Sequence, residues 1–527
     1  MRRALVKHTL MLGVAALALA APARAATVFK WANDGDVRAL DPYTLDETVQ
    51  NSFLGNIYEG LTRRGKELEP EPALAAKWEQ TSPTTWRFHL RPDVKWQDGT
   101  PLSADDVLFS FKRINGRNSQ LSVEVTDVKE MRKADDQTIE IETKSPDAIL
   151  PMQLTSMPVM SQKWCTEHDA VENVVVGSGD NYALRNAMGT GPFKLVSREA
   201  DRRTVVERNP AWWDKPEFNI DQAEFTVISN AATRVAALLS GEVDMVYSVP
   251  VQDIDRIKAA DGLRLIEGPE LRTIFLGMDV SRDQLLFSSV KGKNPFKDAR
   301  VRQAFALAID EDAIASRVMR GLARSSWEMW GPGVNGFNPA LNARPKPDPA
   351  KAKQLLAEAG YPEGFQVQLD CSNDRYVNDA QICTAVSAML ARIGVKADVF
   401  ARSKVQFFAD INLPNYKTSF FMLGWTPSTL DALNVFQNIL HTREPGFGIE
   451  NIGNYSNPKV DALTGQIGNE LDNSKRNDLI NQGIKAVQDD FAYIPLHQQT
   501  IVWATKKDVS VVQTADNYFQ LRWVTMK

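Results

Sequence analysis

The chain has 527 residues, 43% hydrophobic and 24% charged, a composition that fills a large core over about two to four domains and excludes disordered, collagen-like and coiled-coil chains. The formal net charge is −5; the first 25 residues hold Arg2, Arg3, Lys7 and Arg24 and no acid, which leaves the remainder at −9. That balance disfavours nucleic-acid binding.

The N-terminus has a basic start, an apolar run from Leu10 to Ala21 and the small-residue sequence Ala23-Arg24-Ala25, the three parts of a cleaved secretory signal. Residues 1–25 are therefore expected to be removed, with the mature chain starting near Ala26. The apolar run is too short to span a bilayer comfortably, and no later segment approaches 18 uncharged apolar residues. No cysteine follows the run, so a soluble protein outside the cytoplasmic membrane is expected rather than a lipid-anchored one.

In chain order, Thr44-x-x-Glu47 fits a capping box, and Val49, Phe53, Ile57 and Leu61 keep helical spacing after it. Trp86-Arg87-Phe88-His89-Leu90 alternates as a half-buried strand does, and Ser103-x-x-Asp106 opens a helix through Val107, Phe111 and Ile114. A helix from about Ala231 turns Val235, Leu238 and Leu239 inward, stops at Gly241 and leads into an apolar strand from Val243 to Tyr247. Val301, Phe305, Ala308 and Ile309 mark another helix. Phe365, Val367, Leu369 and Cys371 alternate, and Cys383 sits in a helical pattern with Ile382, Val386, Met389, Leu390 and Ile393. Strands and helices mixed in this way predict an α/β architecture.

Three cysteines, Cys165, Cys371 and Cys383, do not make a disulfide-built scaffold, although an oxidising compartment permits one bridge. A Cys371–Cys383 bridge would staple a strand end to the next helix; two unpaired buried thiols are the other reading, and the sequence leaves both open.

No catalytic apparatus is visible. The histidines His8, His89, His168, His441 and His497 are too far apart in sequence to form a His-x-x-x-His metal site. Gly177-Ser178-Gly179 lacks the strand-to-helix context of a nucleophile elbow. Gly331 to Gly336 has dinucleotide-fingerprint spacing, but Pro332 intrudes and no amphipathic helix begins there to hold a pyrophosphate. Gly292-Lys293 is followed by Asn294 rather than by the hydroxyl residue of a phosphate-binding loop. No cofactor and no metal are expected. Two function classes survive: a solute-binding protein, and a secreted hydrolase assembled from scattered carboxylates.

A set of blocks decides between them by resemblance. Residues 72–110 contain Pro72-Ala73-Leu74-Ala75, Trp78, Val94-Lys95-Trp96, Asp98-Gly99 and Ala104-Asp105-Asp106-Val107. These are followed in order by Gly189-Thr190-Gly191-Pro192-Phe193, Glu207-Arg208-Asn209-Pro210 with Trp212 and Trp213, Gly241-Glu242-Val243-Asp244, Val301-Arg302-Gln303-Ala304-Phe305, Ala359-Gly360-Tyr361 and Tyr455-Ser456-Asn457-Pro458. The set closely resembles the extracellular solute-binding proteins of the dipeptide and oligopeptide type (family 5) that serve ABC importers, and it covers nearly the whole mature chain. Asp98-Gly99 and Asn209-Pro210 also read as turns, and Trp212 and Trp213 as packing residues.

The resemblance implies a two-lobed periplasmic binding protein, a Venus flytrap with an extra third domain, whose lobes close by hinge motion over a buried solute. Lobe I is expected at 26–70, 187–285 and 491–527, the extra domain at 71–186 and lobe II at 286–490. The implied function is capture of a small peptide or peptide-like carboxylate solute for a membrane ABC permease, by a monomer that does no chemistry. Other ligands of this widely reused scaffold are the alternatives: a glutathione-like compound, an opine, a sugar derivative, a nickel complex or haem.

The resemblance also names candidate residues. Asn373 to Asn378 matches the stretch in which dipeptide-binding members present an arginine, making Arg375 the candidate for the ligand carboxylate; a surface pair with Asp374 is the competing reading. Gly424-Trp425 matches the family's Gly-Trp block, with Trp425 either lining the cleft or packing in the core. Peptide-binding relatives carry an aspartate four residues after that glycine, to pair with the ligand's amine. This chain has Ser428, whose hydroxyl supplies no counter-charge. Asp431 either reaches the same pocket or caps the next helix.

Overall fold

The computed structural model describes residues 26–527, apart from residues 178, 413 and 414 and the side chain of residue 123. The expected signal segment, residues 1–25, lies outside the described residues.

Eleven strands form one large mixed sheet: β1 (Val28–Asn33), β2 (Phe193–Glu199), β3 (Arg203–Arg208), β4 (Gln222–Val227), β5 (Met245–Val246), β6 (Leu263–Met278), β7 (Ala323–Ser325), β8 (Gln366–Ser372), β9 (Lys396–Arg402), β10 (Phe420–Trp425) and β11 (Tyr493–Lys506). Their order is β9-β8-β10-β6-β11-β5-β1-β4-β3-β2, with β7 added to β11. β1 runs parallel to β4 and β5, and β8 parallel to β9 and β10, whereas β6 and β11 pair antiparallel. A separate four-stranded antiparallel sheet orders Ala75–Ser82, Thr85–Leu90, Thr138–Thr143 and Val128–Asp135.

β6 and β11 are the long members that join the two ends of the large sheet. Their ladder is regular from Leu263↔Lys506 to Pro269↔Thr500, breaks, and resumes at Thr273↔Gln498. Pro269 has no N–H to donate, and the pairing is interrupted at Glu270, Leu271 and Arg272. On one side of it, Ile266, Ile501 and Trp503 pack with Phe29, Trp31, Phe225 and Phe519. On the other, Ile274, Leu276, Met278, Ile494 and Leu496 join Phe296, Val301, Phe305 and Phe420. The change of core thus falls inside these strands. Side chains of the 71–186 segment, among them Phe88, Trp96 and Val107, share the first of these clusters.

Local expectations meet different fates. The Ser103/Asp106 capping box forms and starts helix Ala104–Ile114, and helix Ala231–Ser240 ends at Gly241, whose φ of 80° suits a residue without Cβ. The box expected at Thr44 does not form: the Thr44 hydroxyl donates to the Asp41 carbonyl (3.0 Å). Glu47 caps helix Thr48–Leu54 instead, its Oε2 accepting from the N–H groups of Val49 (2.8 Å) and Gln50 (3.3 Å). The strand expected over Val243 to Tyr247 is reduced to Met245–Val246, because Gly241, Glu242 and Val243 still complete the helix C-terminus through bonds to Ala237 and Leu238.

Candidate functional site

β8 ends at Ser372, and the turn that follows carries Arg375. The turn is held by one buried carboxylate: Asp379 Oδ2 accepts from Ser372 Oγ (2.8 Å) and from the N–H groups of Arg375 (3.1 Å) and Tyr376 (3.2 Å). Cys371 and Cys383 are bridged and tie the strand end to helix Asp379–Ala391, so the loop carrying Arg375 is closed at both ends. Asp374 does not neutralise Arg375; its Oδ1 accepts from the Lys404 N–H (2.5 Å). The half-buried Arg375 guanidinium lies 5.4 Å from the Tyr376 ring centroid and makes no ion pair among the described residues.

Tyr376 leads to the Gly-Trp block. Its Oη lies 3.5 Å from the Gly424 carbonyl, and a Cβ on Gly424 would stand 2.8 Å from the tyrosine ring and 2.9 Å from Arg272 Cδ. Glycine is thus needed here for close approach. Trp425 is half-buried against the lobe II core and donates its Nε1–H to Asn434 Oδ1 (2.8 Å). Asn434 Nδ2 in turn donates to Ser428 Oγ (3.3 Å), and Ser428 Oγ donates to Glu124 Oε1 (3.3 Å) across from the 71–186 segment. Arg375, Trp425 and Ser428 are therefore members of one chain of contacts.

Asp431 is not part of that chain. It is 1% exposed, caps the following helix through the Leu433 N–H (2.8 Å), accepts from Asn335 Nδ2 (2.8 Å), and forms a bidentate pair with buried Arg476, with 2.7 Å to its Oδ1. Of the two readings for Asp431, the structure realises the cap, leaving the carboxylate with no free valence for a ligand amine.

Several neighbours carry no sequence motif. Arg64 reaches from the first lobe to donate Nη2–H to the Ser428 carbonyl (2.7 Å), while its Nη1 pairs with Asp516 (2.9 Å). Glu270 pairs with Arg272 (3.0 Å) and accepts from Gln499 Nε2 (2.8 Å) at the break in β6. Gln252 and Asn378 meet at 3.4 Å, and Leu68 and Met152 pack with Leu271, Phe421 and Leu430. Of these, the Arg64 bond to Ser428 and the packing of Leu68 and Met152 join the first part of the chain to residues 421–430. Burial pushes the Glu124 carboxyl up to about 7, with Asp46 adding to the rise and Arg64 opposing it.

Trp212 and Trp213 lie elsewhere: both indole N–H groups donate to Glu59, at 3.1 and 2.9 Å, and their rings pack beside Phe218. His497 and Glu311 approach to 2.6 Å but are both 0% exposed, so no substrate reaches them.

The model of the bacterial extracellular solute-binding proteins, family 5 (Middle), matches residues 69–447. This chain belongs to that family. As a family 5 solute-binding protein it is 26% identical over 510 residues to the glutathione-binding protein GsiB of Pectobacterium atrosepticum, with 94% of each chain covered. It is 27% identical over 531 residues to the dipeptide-binding protein of Escherichia coli, again with 94% of each covered. Among solved structures it superposes on the dipeptide-binding protein of Pseudoalteromonas sp. SM9913 in complex with Met-Leu, with a TM-score of 0.80 at 20% identity, covering 95% of this chain and 100% of the other. The fold of this family 5 protein is that of the two-lobed periplasmic binding proteins. No helix among the described residues is long and apolar enough to cross a membrane.

Proposed function

We propose that this protein is the periplasmic receptor of an ABC importer, which captures a small peptide or peptide-like carboxylate solute in the cleft bounded by Arg375, Trp425 and Ser428 and delivers it unaltered to a membrane permease. In this reading, residues 26–70, 187–285 and 491–527 form lobe I, 71–186 the extra domain and 286–490 lobe II. One observation carries it: a guanidinium without an ion-pair partner, Arg375, held on a turn fixed by Asp379 and the Cys371–Cys383 bridge. A planar fork so held meets a carboxylate through two parallel bonds. The dipeptide- and glutathione-binding relatives support the ligand class.

A carboxylate solute without a free amine is a second reading, favoured by the hydroxyl at Ser428. Native mass spectrometry of the mature protein, followed by denaturation and identification of what is released, tests both. One equivalent of an intact carboxylate compound is expected; turnover of a peptide mixture at catalytic protein concentration overturns the receptor reading. In calorimetry, Arg375→Ala is expected to weaken carboxylate ligands by about 2–5 kcal/mol, as truncation of a desolvated charge pair does. Unchanged affinity removes Arg375 from the site.

A further inference from the structure

We propose that Glu124, contributed by the 71–186 segment, is the acidic subsite of this cleft and selects ligands that carry a primary ammonium group beside Ser428. The inference rests on the cleft being the ligand site. Glu124 sits on the short 3-10 turn Ser122–Val125, and its carboxylate accepts one hydrogen bond, from Ser428 Oγ. It has no ion-pair partner among the described residues. The nearby cation, Arg64, is already engaged by Asp516, by Thr155 Oγ1 (3.2 Å) and by the Ser428 carbonyl.

Asp46, whose Oδ1 accepts from Asn51 Nδ2 (2.8 Å), lies beside Glu124, and Tyr518, a buried phenol pushed up by burial, lies beside Arg64 and Asp46. Glu124 and Asp516 thus share one guanidinium, that of Arg64, and Asp46 adds a further negative charge beside Glu124. The hydroxyls of Thr426 and Thr429, on either side of Ser428, are buried with no hydrogen-bond partner in the structure. A carboxylate and hydroxyl oxygens are the acceptors that the three N–H bonds of an ammonium require, and a cation arriving there stabilises the ionised form of Glu124. Ser428 lacks the charge for this role, and Asp431 is taken up by Arg476.

The test uses a casein hydrolysate and the same hydrolysate N-acetylated, with retention by the whole mature protein read by native mass spectrometry. The wild type is expected to retain free-amine components and not acetylated ones, and Glu124→Gln to weaken that retention tenfold or more at pH 8. Glu124→Asp, which keeps the charge, recovers part of the loss. Affinity of the wild type is expected to fall as pH drops from 7 to 5, a range in which a peptide amine of pKa about 8 stays largely protonated, and that of Glu124→Gln to stay level, since only an ionised carboxyl pairs with the ammonium. Equal retention of acetylated components, or wild-type retention by a folded Glu124→Gln, overturns the proposal and leaves the receptor reading standing. Failure of the wild type to retain anything from either mixture overturns both.

Discussion

Ser428 and Asp431 stand three residues apart and do different physical work. Ser428 is half-buried at the junction of lobe II with the 71–186 segment, whereas Asp431 neutralises the buried guanidinium of Arg476. Removing one partner of a buried pair leaves the other charge uncompensated, which costs about 3–5 kcal/mol. Asp431→Ala is therefore expected to lower unfolding stability by that amount in denaturant titration. Asp431→Asn, which keeps the cap but not the charge, should lie between it and the wild type. A stable Asp431→Ala protein with lost amine binding would instead return Asp431 to the ligand site. In the proposed site, Arg375 and Trp425 are the members that ordered family blocks point to in the sequence. Glu124 and Arg64 have no such signal, because each meets Ser428 only through a contact spanning more than 300 positions.

At the scale of elements, the Cys371–Cys383 bridge spans a sequence separation of 12 and closes the loop that holds Arg375. Cross-linking so short a loop removes unfolded-chain entropy worth roughly 3 kcal/mol in the chain-entropy model. Replacing both cysteines by serine is expected to lower the unfolding midpoint and, since Asp379 still holds the turn, to weaken carboxylate binding only several-fold. Calorimetric titration and melting of the double variant check this, and an unchanged midpoint would show that the bridge contributes no stability. The alternation ending at Cys371 and the helical spacing around Cys383 put both thiols at the right element ends, but pairing depends on how helix Asp379–Ala391 packs on β8, which periodicity does not specify. The two capping boxes teach the same lesson. Ser103 Oγ accepts from the Asp106 N–H while its own O–H donates to the Asp106 carboxylate (2.8 Å), whereas the Thr44 hydroxyl turns back to the Asp41 carbonyl and Glu47 caps the helix instead.

For the whole molecule, the α/β class follows from mixed periodicities and the two-lobed plan from the order of the blocks. The change of core along β6 and β11 has no linker to mark it: both strands run through it, and the ladder break between Pro269 and Thr273 coincides with it. Closure across that break needs contacts that exist only when the lobes meet, since a ligand shifts the balance of open and closed forms only through differential interaction. Arg64 supplies such a contact: its pair with Asp516 joins two segments that the proposed division places in lobe I, whereas its bond to the Ser428 carbonyl reaches a residue that this division places in lobe II. Arg64→Lys keeps a cation for Asp516 but loses the fork that serves both partners at once. A hydrogen bond from a charged donor is worth about 1.5–3 kcal/mol, so ligand affinity is expected to fall by at least about tenfold, mostly through faster release, with little change in melting temperature. Stopped-flow tryptophan fluorescence gives the release rate, and small-angle scattering with saturating ligand gives the closed fraction. Wild-type release from a folded Arg64→Lys protein would mean that closure is held by the apolar contacts of Leu68 and Met152 instead.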